Sequence, residues 1–171
     1  MNSMNELIKE VENLFGTIKL NQIAERKYTV DTDLKDLISI LELFKLKGWN
    51  HLSLISCVDW IDDNQFELIY TLFNWENGIT LMVSTKISRE TPVAPTVMGL
   101  WPTARFYERD IHEFFGVKFD GNDDMKPLIL ENWKDIPPMR KDFDPHKFSK
   151  ENFPDRTYDV DFIPEGSEKD G

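Results

Sequence analysis

The residues best suited to chemistry crowd into one run, Tyr107-Glu108-Arg109-Asp110-Ile111-His112-Glu113-Phe114-Phe115-Gly116. Glu108, His112 and Glu113 are types that act as general acids and bases, and Asp110 and His112 are types that ligate metals. The spacing argues against both uses. A zinc-protease helix needs a second His four positions after the first, and Gly116 stands there. Asp110 and His112, at i and i+2, point apart on a helix. His51 and His146 are too isolated to help, and no carboxylate pair falls in an evident pocket. No Gly-x-Gly-x-x-Gly run, phosphate loop or Gly-x-Ser-x-Gly elbow occurs. Cys57, the only cysteine, excludes an internal disulfide. It also excludes a self-contained iron–sulfur or thiolate zinc site, which calls for about three or four thiolates. On an alternating strand it reads as a small buried apolar residue.

As a helix over Ala104 to Phe115, the run puts Tyr107, Ile111 and Phe114 on one face, with Gly116 as its left-handed stop. Arg105 with Glu108, and Arg109 with Glu113, are spaced for ion pairs. Two readings of the charged side stay open. It can face solvent, where each pair is worth ~0.3–0.5 kcal/mol. Or Glu108 and Arg109 can lie at a buried subunit boundary, where an Arg–carboxylate fork fixes geometry.

The elements that position this helix follow from periodicity. Ser3 and Glu6 form a capping box, followed by Leu7, Val11 and Leu14 at helical spacing and then Gly16. A short strand, Lys27 to Val30, precedes a helix from Thr32 or Asp33 to Gly48, with Leu34, Leu37, Ile38 and Leu41 buried. Leu52 to Trp60, Phe66 to Leu72, and Ile79 to Ile87 alternate as strands. Asp62-Asp63-Asn64 joins the first pair, and Asn77-Gly78 signals a type I′ hairpin between the second. The expected fold is α+β: an antiparallel sheet of three or four strands, one face wet, packed with two to three helices.

Composition narrows the function. Net charge is −11 over 171 residues, which argues against nucleic acid and anionic lipid as partners. No window approaches the ~20 apolar residues that cross a bilayer, and the start lacks a signal-peptide pattern. A peripheral protein on the cytoplasmic side, held to any membrane by other proteins, is expected.

Two regions are expected, an α+β domain over 1–119 and an extended docking tail over 120–171. The tail holds six of the nine prolines, with 14 acidic and 8 basic residues. Its aromatics Phe143, Phe148, Phe153, Tyr158 and Phe162 recur every four or five residues, a period of neither helix nor strand. An extended strap with an anchor every ~16 Å suits a segment lying along another protein. The alternative is that these rings fold back on their own domain.

Glu108-Arg109-Asp110, then Glu113-Phe114-Phe115-Gly116, resembles the signature of the 30-kilodalton subunit family of respiratory complex I, shared with membrane-bound energy-converting nickel–iron hydrogenases. Lys126, Leu128 and Ile129 fit its later part. Pro138-Met139-Arg140-Lys141-Asp142-Phe143 is similar to the family's strap, and Val58-Asp59-Trp60 with Phe66 to Leu72 to its central hairpin. The likeness runs from about residue 30 to 145. Asp110 replaces the family's second Glu, and Asn122 stands where His or Lys is usual.

The resemblance implies a non-catalytic structural subunit of the cytoplasmic arm of a membrane-bound, ion-translocating redox complex. A hydrogen-evolving nickel–iron hydrogenase comes first, because of the departures and the short N-terminus. A complex I-type NADH or ferredoxin:quinone oxidoreductase, or a sulfur-reducing relative, comes second. The chain would bind no cofactor. The nickel–iron centre and iron–sulfur clusters would sit in partners, namely the large catalytic subunit and neighbouring iron–sulfur subunits. Glu108, Arg109, Glu113 and Phe114 would set the interface, Arg140, Lys141, Asp142 and Phe143 would pin the strap, and the spaced aromatics would dock on partners. A different class is a small independent acid–base enzyme using Glu108, His112 or Glu113.

Overall fold

The computed structural model describes residues 4–16 and 18–154. The capping-box Ser3, together with Tyr158 and Phe162, lies outside the described residues. Helix α1 (Met4–Phe15) is followed by strands β1 (Lys19–Ala24) and β2 (Lys27–Asp31), helix α2 (Leu37–Leu46), and strands β3 (His51–Trp60), β4 (Gln65–Asn74) and β5 (Ile79–Ser88). The short strand β6 (Val93–Pro95), helix α3 (Ala104–Phe115), strand β7 (Lys118–Asp120) and helix α4 (Pro145–Asn152) complete the order. The sheet runs β1-β2-β5-β4-β3, and β6 pairs β7 in parallel beside it.

The α+β class is as expected, and the sheet is larger than sequence indicated. β1 is an extra strand, and β2 pairs β5 in parallel while the other neighbours are antiparallel. β1 left little trace because half of its residues are polar, its apolar ones do not alternate, and Asn21 to Ala24 are exposed, with Ile23 turned outward. The β2–β5 pairing joins segments about fifty residues apart, which local alternation does not encode.

The core face is written in β4, where Phe66, Leu68, Tyr70, Leu72 and Asn74 are buried and their neighbours half-buried. β3 matches it through an irregularity between Leu52 and Leu54. The extra residue, Ser53, shifts the phase, so Leu52 and Ile55 both face the core although they are three apart. Helix α2 contributes Leu37, Ile40, Leu41 and Phe44, all fully buried. Leu34 and Ile38 are only partly buried; Leu34 lies in the turn 34–36, before the helix proper starts at Leu37. In α1, Leu7 and Val11 are buried while Leu14 is exposed.

The hairpin between β4 and β5 is present with a different turn. Gly78 has φ 68°, but Asn77 does not enter the left-handed region that a type I′ turn requires of both residues. Instead 75–78 form the loop. The Gly78 N–H donates to the Asn74 carbonyl at 2.9 Å, and the Asn74 side chain accepts the Glu76 N–H at 2.9 Å.

Residues after Phe119 do not leave the domain as an extended strap. They run back along α3, and Asp144 starts a helix, accepting the His146 and Lys147 N–H groups at 2.9 and 3.0 Å with Pro145 in the first turn. Phe143 and Phe148 cluster within the tail rather than standing apart as separate anchors. They pack with Trp133, whose ring stacks on Phe148 at 4.7 Å and meets Phe143 edge-on at 5.5 Å. Phe153 is exposed.

Candidate functional site

Helix α3 forms because Ile111 and Phe115 bury one face against the sheet. The Tyr107 hydroxyl donates to the Ser53 carbonyl, freed by the β3 bulge, at 2.7 Å. Gly116 ends the helix with φ 80°, its N–H donating to the His112 carbonyl at 2.9 Å. From this fixed helix Glu108 reaches inward, while Arg109 and Glu113 reach one loop.

Glu108 is fully buried. One carboxylate oxygen accepts the Val97 N–H at 2.8 Å, and the other accepts the Thr96 hydroxyl at 2.7 Å and the Asn122 amide at 2.8 Å. Burial pushes its carboxyl above the usual range, and the three donors offset part of that rise. Above it the Tyr70 hydroxyl is wholly buried with no partner among the described residues; burial, then the Glu108 charge, push its pKa upward. Glu108 therefore ties the segment after β6 to the segment after β7. The boundary role expected for it is not where its bonds go, and sequence spacing to Arg105 gave no hint of them. Arg105 pairs instead with Asp124 at 2.9 Å.

Arg109 donates to the Lys126 and Pro127 carbonyls, both at 3.0 Å, and lies 3.7 Å from Asp124. It does not pair with Glu113. Glu113 accepts the Leu128, Ile129 and Leu130 N–H groups, with contacts of 3.0, 2.9 and 2.5 Å. One helix thus presents a guanidinium to two carbonyls and a carboxylate to three successive amides of the same loop. Donor and acceptor types match on both sides, so the loop backbone is held with its side chains turned outward. Ile129 is 63% exposed, and Phe114 is only partly buried.

The strap that follows is clamped at a second point. Asp59, 4% exposed at the end of β3, accepts from Arg89 at 2.9 and 3.2 Å and from the Lys141 N–H at 2.8 Å. Arg89 also donates to Asp142 at 2.6 Å. Burial favours the neutral acid, but the Arg89 bonds, the Lys141 N–H and the Arg89 and Arg140 charges together hold Asp59 below the usual carboxylate range. Arg140 donates to the Phe115 carbonyl at 2.7 Å and lies over the Phe66 ring at 5.1 Å. The Met139 N–H donates to the Phe114 carbonyl at 3.0 Å. Arg140, the Lys141 N–H and Asp142 thus bond to Phe115, Asp59 and Arg89 of this chain's own domain. Asp59 and Arg89, which receive the strap, are separated from it by over fifty residues; sequence marked Asp59 only as part of the hairpin resemblance and did not mark Arg89.

Cys57 is half-buried, its thiol pushed up to about 12 by burial first and then by Asp59, against the pull of Arg140. Among the described residues no group of three or more His, Cys, Asp or Glu side chains could hold a metal, and no helix is long and apolar enough to cross a membrane.

Residues 29–149 match the family model described as respiratory-chain NADH dehydrogenase, 30 Kd subunit. The chain is 29% identical over 140 residues to an NADH-quinone oxidoreductase subunit of Moorella thermoacetica, covering 82% of this chain and 95% of that one. It is 30% identical over 120 residues to an F(420)H(2) dehydrogenase subunit of Methanosarcina mazei, covering 66% and 69%. Among solved structures, a chain of the membrane-bound sulfane sulfur reductase, an archaeal respiratory membrane complex, superposes with a TM-score of 0.84. That pair is 31% identical, and the match covers 92% of this chain and 97% of that one. The trypsin-resistant fragment of Nqo5 shares the fold, with a TM-score of 0.63 at 23% identity, covering 71% and 98%.

Proposed function

The chain belongs to the 30-kilodalton subunit family of the respiratory-chain NADH dehydrogenase, and on that premise we propose that it is a structural subunit that docks on the large catalytic subunit of a membrane-bound redox complex. The observation that carries this reading is the strap. The backbone groups of 126–130 and 141 and the Asp142 side chain are spent on Arg109, Glu113, Asp59 and Arg89, while Leu128, Ile129, Ile136 and Met139 are 38%, 63%, 39% and 58% exposed. A rigid backbone offering apolar side chains loses little entropy on association and gains by burying them. Electrons would travel through partner subunits on the inner side of the membrane, and this chain would hold the large subunit in register.

For the terminal reaction we propose the hydrogenase and sulfur-reductase branch rather than quinone reduction. The extended likeness to the sulfane sulfur reductase chain supports this, and within the branch it favours sulfur reduction over the hydrogen evolution expected from sequence. The test is purification through a tag on this chain in mild detergent, with partners identified by mass spectrometry. Co-purification of a large subunit, lost in Ile129→Asp, is expected. A 20.1 kDa monomer in native extract would refute the subunit reading. Recovery of a complex that reduces quinone and not polysulfide would refute the branch alone.

A further inference from the structure

The sheet has a gap inside it. β2 pairs β5 only as far as Asp31 opposite Ser84, yet β5 continues to Ser88. The chain leaves β2 at Thr32, whose N–H donates to the Ser84 carbonyl at 2.9 Å, and turns away toward α2. The Thr80 N–H donates to the Arg26 carbonyl on the same side at 2.9 Å. Backbone groups alternate along a strand, so the Lys86 N–H and C=O also point to that side, one step past the last β2 partner. A cleft of about 530 Å³ opens there, lined by Asp31, Asp33, Gln65, Glu67, Thr85 and Lys86 among others. Thr85 is 2% exposed, and its hydroxyl has no hydrogen-bond partner among the described residues.

The outer edges of the sheet differ. Pairing along β1 breaks between Gln22 and Ala24, as guarded edges do. On β3 Tyr107 takes the Ser53 carbonyl at 2.7 Å, and just before the strand Trp101 takes the Asn50 carbonyl at 3.0 Å. The gap beside β5 is recessed, unguarded and acidic. Three carboxylates and one ammonium line it; Lys86 is itself 3.9 Å from Asp63, and Lys35 reaches Asp33 from outside at 3.8 Å with both groups exposed. The chain's own residues 155–171 carry six acidic and two basic side chains, so like charge disfavours them as occupant.

We propose that this gap receives a short, extended, basic segment of another polypeptide, which adds in line with β2 and hydrogen-bonds the Lys86 backbone. Main-chain bonds would supply direction, and Asp33 and Glu67 would select for Lys or Arg. The site lies beyond the docking strap and does not depend on which complex the chain serves.

The test titrates the full chain with two capped synthetic peptides, one alternating Lys and Val and one alternating Glu and Val, followed by amide-resolved NMR. The Lys–Val peptide should shift and protect the Lys86 amide and move the Trp60 indole signal, because that N–H donates to Glu67 at 2.8 Å. The Glu–Val peptide should not. Asp33→Lys combined with Glu67→Lys should weaken the Lys–Val peptide at least about tenfold. Lys86→Pro should abolish binding with the fold retained, since its N–H points away from β4. Absence of Lys–Val binding to the wild-type chain would overturn the proposal. So would equal binding of both peptides, or shifts confined to the strap. The wild-type titration decides even where a variant misfolds.

Discussion

Arg89→Met tests how the strap is held. Arg89 bridges Asp59, which is buried, and Asp142, which is partly exposed. Removing one partner of a buried pair costs about 3–5 kcal/mol, because the other charge stays desolvated. Arg140 also acts on Asp59, so its charge is not wholly uncompensated and the expectation is the low end, about 3 kcal/mol. For a chain of this size that is a fall in Tm of about 6–12 °C. Asp142→Ala removes only a rim partner and should cost no more than about 1 kcal/mol. Denaturant unfolding of both variants, with Asp59→Asn to close a double-mutant cycle, measures the difference. The pH dependence has a definite sign. The folded-state carboxyl of Asp59 is depressed, so its contribution is complete above the ordinary carboxylate range and is lost as pH falls through the folded value. The stability gap between wild type and Asp59→Asn should therefore be constant near neutrality and close in acid. Equal costs for Arg89→Met and Asp142→Ala, or a gap that widens in acid, would refute the clamp.

Glu113→Ala should free the Leu128, Ile129 and Leu130 amides. Their hydrogen exchange should quicken by at least about tenfold, with global stability changed by only about 1–2 kcal/mol, because hydrogen bonds to a charged group are worth about 1.5–3 kcal/mol and this loop is partly solvated. Gly116→Ala puts a Cβ 3.2 Å from Pro137 and 3.3 Å from Arg140 at φ 80°, so a loss of about 1–2 kcal/mol is expected by thermal unfolding. Cys57 should react slowly with a thiol-disulfide reagent at pH 8 in the native chain and readily in denaturant, since its thiol is pushed up to about 12. Equal rates in the two states would contradict that environment.

Local pattern determined much of this protein. Alternation in Phe66 to Leu72 and Ile79 to Ile87 fixed two central strands, and the spacing of Tyr107, Ile111 and Phe114 with Gly116 fixed α3 and its end, although Phe115 rather than Phe114 is the ring buried beside Ile111. These signals are legible because a strand or helix must segregate its own apolar side chains, whatever lies beyond it. The motif charges and the strap were also visible as a pattern, with the family they resemble. What Glu108, Arg109, Glu113 and Asp142 hold was not. A charge three or four residues away looked like the partner for Arg105 and Arg109, but Asp124 and the 126–127 carbonyls took them. The Arg89–Asp59 receiver and the β2–β5 pairing belong to the same class. Such contacts depend on which distant segment arrives beside a fixed helix or strand, and loop closure over tens of residues costs too little free energy to leave a mark in the local sequence.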